Sequence, residues 1–185
     1  MENAHSREAL PVVALLISEQ LQKQLFTPDA LQQLAGLAIV VQFPRGLPDA
    51  EALPSLLEDA NICITGWDTP SLPPAVVERS PHLRLIAHTA GTVHHLFHPE
   101  IFAQGIRVTH SAAALAEGVA EFTVAQALVS LTQLHTFDQL LRQHASWEEM
   151  RDRPVGHLLS AQVFGIVGVG RIGREVIKRL RPFGC

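Results

Sequence analysis

An α/β fold is what this sequence predicts: an open parallel sheet covered by helices on both faces. Short apolar runs such as "PVVALLI", "LAIVVQF", "ICIT", "LRLIAH" and "IRVTH" alternate with longer amphipathic stretches, the rhythm of strand–helix–strand units. Several of the runs are apolar at almost every position, as strands buried on both faces are. Helix start signals stand in the stretches between them.

The elements follow in order. "PVVALLI" is the first strand, and "SEQLQKQLF" a helix capped by Ser18. In "TPDALQQLAG", Thr27 is the N-cap, Pro28 the first helical residue and Gly36 the stop. "LAIVVQF" is the second strand, and "PDAEALPSLLEDA" a helix kinked at Pro54. "ICIT" is the third strand, "PSLPPAVVERSP" a short helix and "LRLIAH" the fourth strand. "PEIFAQG" is a further helix and "IRVTH" the fifth strand. From Ala113 to about His144 there is no proline and only Gly118. One long helix is expected there, linking two bodies, since at ~1.5 Å per residue it would cross a small domain. "ASWEEMRDRPVGHLLSAQ" is polar and turn-like, and "VFGIVGVG" opens a new strand. The expected domains are therefore 1–112 and 113–185, with the boundary near Ser111 to Glu117.

Composition bounds the function classes. The 185 residues suffice for one domain and part of a second. Hydrophobic content of 47% with 17% charged residues is that of a soluble globular chain. A net charge of -4, spread along the sequence, forms no basic patch and argues against a nucleic-acid partner. Unbroken apolar runs are shorter than the ~20 residues that span a bilayer, so no membrane partner is expected. The N-terminus lacks a secretory pattern. Cys63 and Cys185 make neither a disulfide framework nor a metal spacing. The expected compartment is the cytoplasm.

Gly168, Gly170 and Gly173 form G-x-G-x-x-G between an apolar run and the helical pattern "REVIKRLRPFG". That flanking context raises the motif above a chance match. Gly168 allows the tight turn, Gly170 admits a pyrophosphate to the backbone, and Gly173 lets helix and strand pack closely. Amides around Arg171 and Ile172, at the positive end of the helix, would hold phosphates, and Arg171 adds charge. The alternative is a glycine-rich turn with no ligand. The acidic residue that selects NAD falls about 20 residues on, at or past Cys185, so NAD is expected with NADP open. A lone strand after the long helix would expose apolar edges, and the chain reads as a piece of a longer protein.

"LRLIAHTAGTVHHLF", "GIRVTHSAAALAEGVAEFTVAQAL" and "LLSAQVFGIVGVGRIGREVIKRLRPFG" stand in that order. Together they resemble the D-isomer-specific 2-hydroxyacid dehydrogenases over about Pro11 to Cys185. The resemblance implies a flavodoxin-like substrate domain followed by the start of a Rossmann dinucleotide-binding domain. It implies hydride exchange between NAD(P) and a small 2-hydroxy or 2-oxo acid in an interdomain cleft, and a homodimer. Backbone amides at Thr89, Ala90, Gly91 and Thr92 match those that hold the substrate carboxylate. Trp67, in "TGWDTP", shapes the pocket or packs on a helix. Val119 matches a position facing the cofactor, while Glu121 and Thr123 are expected in interdomain packing. The aspartate that many members carry after the substrate-loop glycine is absent from "GTVHHLFH". The family's catalytic arginine, glutamate and histidine lie beyond the nucleotide turn, so no catalytic residue is assigned in this chain. A second function stays open: an NAD(H)-sensing, corepressor-like module without turnover.

Histidines cluster at His88, His94, His95 and His98. His94 and His98 share a helix face if that segment is helical, but without a third ligand a surface loop is the simpler reading and no metal is assigned. His88 and His110, at strand ends, either touch substrate or are satisfied structural residues. Cys63 reads as a small core residue.

Overall fold

The computed structural model describes residues 10–42, 51–153 and 156–185. They form two compact units, divided between Ser111 and Ala112.

The first unit is built on five strands, β1 (Val12–Leu16), β2 (Ile39–Gln42), β3 (Ile62–Thr65), β4 (Leu85–His88) and β5 (Arg107–His110). All pair in parallel, in the order β2-β1-β3-β4-β5, which is the flavodoxin-like order. β1 lies inside the sheet, and its alternate residues feed opposite cores. Val13, Leu15 and Ile17 pack with Leu21 and Ala38 on one face. Ala14 and Leu16 pack with Leu53, Leu57, Cys63, Val77, Ile86 and Ile101 on the other. Both faces being covered explains why the run is apolar throughout. The outer strands β2 and β5 are more exposed and end in Gln42 and His110.

Local signals set the helices. Ser18 caps α1 (Glu19–Leu25) by accepting from Leu21 N at 3.1 Å, and Thr27 caps α2 (Pro28–Leu37) by accepting from Ala30 N at 3.2 Å. Gly36 does not stop α2: it lies inside the helix, which ends at Ala38 in extended geometry. Pro54 does not kink α3 (Leu53–Leu57) either. It stands in the first turn, where a missing N–H leaves no bond unmade; the expected start at Pro48 to Ala50 lies outside the described residues. α4 (Pro74–Glu78) and α5 (Glu100–Ala103) complete the layer packed with β3 and β4.

The second unit contains α6 (Ala112–Thr132), α7 (Leu134–Arg142), α8 (Trp147–Arg151) and α9 (Arg171–Leu180). The single long helix expected over Ala113 to His144 is thus two helices. Gln133 breaks it with φ of 55°, and the cause is tertiary. The Leu131 carbonyl accepts from His157 N at 2.8 Å instead of from the helix. Gly156 approaches so closely that a Cβ there would lie 2.6 Å from that same oxygen. α6 is long and apolar enough to cross a membrane by length and composition alone. Its Ala120 and Val124 pack against Val176 and Leu180 of α9, and its Glu121 reaches Arg179 at 3.1 Å.

The strand expected at "VFGIVGVG" is not a ladder strand. Phe164 and Ile166 turn toward the α6–α9 core, while Val163 and Val167 are fully exposed. The segment alternates as an extended chain does, but no described residue pairs with it. A strand is defined by its neighbours' hydrogen bonds, and sequence pattern cannot supply them.

Candidate functional site

Among the described residues, each unit carries a turn with consecutive unpaired amides. In the first, parallel register brings Thr65, His88 and His110, the last residues of β3, β4 and β5, side by side. This is the carboxyl edge, where open α/β sheets bind ligands. The chain after β4 is fixed to it. Thr89 donates to the Thr65 carbonyl twice, from its amide at 2.8 Å and its hydroxyl at 2.9 Å. Ser111 donates from its amide to the Ala90 carbonyl at 3.0 Å and from its hydroxyl to the His88 carbonyl at 3.3 Å. Among the described residues, none accepts from the amides of Ala90, Gly91 or Thr92. Ala90 is itself buried, and a buried donor without a partner is rare in folded proteins. Three consecutive free amides at a strand's carboxyl end suit a carboxylate, which only accepts.

Beneath the loop, His88 is 2% exposed. Its Nδ1 lies 3.0 Å from Thr65 Oγ1, and among the described residues its Nε2 makes no hydrogen bond of regular geometry. Burial, then the neighbouring His95 and His110, hold the imidazole below the usual histidine range. Trp67 is 58% exposed, so it is no core residue; it stands between Gly66 and Asp68 in a turn pinned by Thr69. The Thr69 hydroxyl accepts from Gly66 N at 2.7 Å and donates to the Leu16 carbonyl. His94 lies in a turn rather than on a helix face shared with His98. Among the described residues no group of three or more His, Cys, Asp or Glu is placed to hold a metal ion. Cys63 is fully buried, and burial pushes its thiol up.

In the second unit, the glycine turn has the required form. Gly168 has φ of 88°, a region side chains avoid. A Cβ on Gly173 would stand 2.3 Å from the Gly168 carbonyl oxygen, so nothing larger than glycine fits. Gly170 is the N-cap of α9, with no side chain closing the helix end. Among the described residues the amides of Arg171, Ile172 and Gly173 meet no acceptor, as the first turn of a helix leaves them. Arg174 Nε donates back to the Val169 carbonyl at 3.2 Å. A pocket of about 300 Å³ beside the turn is lined by Thr123, Gly165, Ile166, Gly168, Ile172 and Gly173. Val119 is exposed one helical turn before Thr123, whose hydroxyl donates to the Val119 carbonyl at 2.7 Å. Thr123 thus lies beside the glycine turn, and Glu121 pairs with Arg179 inside the same unit. Thr123 and Val119 stand four residues apart and so on one side of α6.

Residues 124–185 match the pattern of the D-isomer specific 2-hydroxyacid dehydrogenase, NAD binding domain. Residues 124–185 belong to that domain family. It is 32% identical over 132 residues to the glyoxylate reductase of Thermofilum pendens, covering 68% of this chain and 37% of the relative. To the D-3-phosphoglycerate dehydrogenase of Mycobacterium bovis it is 27% identical over 177 residues, 96% of this chain and 31% of that one. A crystal structure from Pyrococcus horikoshii superposes with a TM-score of 0.73 at 27% identity, covering 94% of this chain and 50% of that one. A glyoxylate reductase structure from Paecilomyes thermophila gives 0.73 at 19% identity and shares the fold. The chain spans roughly a third of these curated relatives' length (37% and 31%). NAD is the nucleotide of this family's second domain, and the turn of Gly168 to Gly173 fits its diphosphate: the cradle between Gly168 and Gly173 is one a Cβ would fill.

Proposed function

We propose that the protein is an oxidoreductase transferring a hydride between NAD(P) and a small 2-hydroxy or 2-oxo acid. Residues 1–112 form the substrate domain in this reading, and 113–185 begin the nucleotide domain. The observation that carries it is the run of unpaired amides from Ala90 to Thr92 at the carboxyl edge of β4. Those amides hold the substrate carboxylate and Trp67 lines the approach, while Thr89, expected among the carboxylate donors, spends its amide and its hydroxyl on the Thr65 carbonyl and fastens the loop instead. Gly168, Gly170, Arg171, Ile172 and Gly173 hold the diphosphate, with Val119 on the cofactor side of α6. Bound NAD supplies the hydride acceptor or donor. No residue of this chain is assigned the acid–base role.

The partners proposed are small molecules, in the cytoplasm, and a second copy of the protein. Exposed Leu141 and Trp147, which line one apolar groove with Phe137 and Met150, support the homodimer, since contiguous exposed apolar surface marks a place where another surface meets it. A panel of 2-oxo acids with NADH and NADPH, followed by nicotinamide absorbance in the intact gene product, tests the activity. Oxidation with one acid supports it. Nucleotide binding without turnover on any of them favours the sensing module instead.

A further inference from the structure

The buried histidine under the carboxylate loop is unexplained by packing alone. His88 is 2% exposed, and among the described residues its Nε2 makes no hydrogen bond of regular geometry; apart from Thr65, the Thr92 backbone is the hydrogen-bonding group that acts on the ring, a weak hold for a polar atom in a core. Its surroundings are specific. Thr65 faces Nδ1 from β3, and a hydroxyl can donate to an unprotonated nitrogen or accept from a protonated one by rotating. Thr65 therefore accommodates both charge states of the ring without a change of backbone. The titratable groups facing the ring are His95, edge-on with ring centroids 6.4 Å apart, and His110 from β5. The backbone of Thr92 favours the protonated form, opposing burial. That is the action of the Thr92 carbonyl, which accepts from a protonated ring, and it lies at the end of the run of free amides, so an anion that orders the loop also sets the ring's acceptor.

We infer that His88 is a positioning residue for that loop: held by Thr65, it takes up a proton as a carboxylate settles on Ala90–Thr92. This rests on the carboxylate reading of the loop. An anion beside the loop opposes the burial and the neighbouring histidines that keep the ring neutral, so binding and protonation reinforce each other. Linkage fixes the direction. The bound state holds more protons than the free state, so carboxylate affinity rises as pH falls through the interval between the two ring midpoints. Each unit by which the midpoint rises on binding corresponds to about tenfold in affinity.

The test uses the 185-residue chain and oxamate, an unreactive 2-oxo acid analogue. Backbone amide shifts of Ala90, Gly91 and Thr92 report binding, and the His88 ring carbons report its charge. Titrations at about pH 5.5 and about pH 7.5 bracket the ordinary histidine value. The expected result is amide shifts at both, with about tenfold tighter binding at the lower pH and a higher His88 midpoint when oxamate is present. His88→Gln and Thr65→Val are expected to flatten the pH dependence; the wild-type ring titration decides the matter if either variant misfolds. Amide shifts of equal affinity at both pH values, or a dependence that tracks the ring of His95 or His110, would overturn the role of His88 while leaving the carboxylate loop standing. No amide shift at either pH would remove the carboxylate reading and this inference with it.

Discussion

The loop after β4 and the turn before α9 both offer free amides to an anion, and they are shaped by opposite means. Side chains shape the first: Thr89 and Ser111 together make four hydrogen bonds that fasten it to neighbouring chain. The absence of side chains shapes the second, where Gly173 touches the Gly168 carbonyl and Gly168 adopts a left-handed φ. Deleting hydroxyls should loosen the loop by degrees, whereas adding one carbon should wreck the turn.

The largest expected effect follows from that contrast. Gly173→Ala places a carbon against a backbone oxygen that cannot retreat without opening the turn. NADH affinity, read by fluorescence titration, is expected to fall at least about tenfold, which corresponds to ~1.4 kcal/mol. Carboxylate binding in the first unit is expected to be unchanged. A variant that binds NADH like the parent would erase the distinction drawn between the two turns.

Next in size is Thr69→Val. It leaves a buried Gly66 amide and the Leu16 carbonyl without their shared hydroxyl, at a cost of about 1–3 kcal/mol. Urea unfolding of the first unit should show it, with NADH affinity retained. Cysteine reactivity separates the units more gently. Cys63 is buried and its thiol is pushed up, while Cys185 is exposed, and it is the thiolate that reacts. A thiol reagent should modify Cys185 at once and Cys63 only on unfolding.

The smallest effect concerns pH. His88 is held below its ordinary value in the folded chain, so the unfolded state binds the proton more readily. Stability of the first unit should therefore be full above about pH 6.5 and decline as pH falls below it. His88→Gln should lessen the decline, measured as the urea midpoint against pH.

The two regions also differ in how legible they were. The five strands and their parallel sheet were readable because β1, β3 and β4 are buried on alternating sides and must be apolar almost throughout. The glycine turn was readable because its geometry excludes Cβ atoms. The Thr65–His88 contact was not, since it joins residues 23 apart through strand register. Nor was the break at Gln133: no glycine or proline marks it, and its cause is His157 capturing the Leu131 carbonyl from a distant segment. Likewise Phe164 and Ile166 carry a strand's alternation, while the hydrogen bonds that make a strand are a property of neighbours.

A titration of the chain with NADH, followed residue by residue through backbone amide shifts, tests the account most directly. The largest shifts are expected at Gly170, Arg171, Ile172 and Gly173, where the helix end presents its free amides. Saturable NADH binding that leaves those four unmoved, or no binding at any attainable concentration, would contradict the nucleotide site and the hydride chemistry built on it.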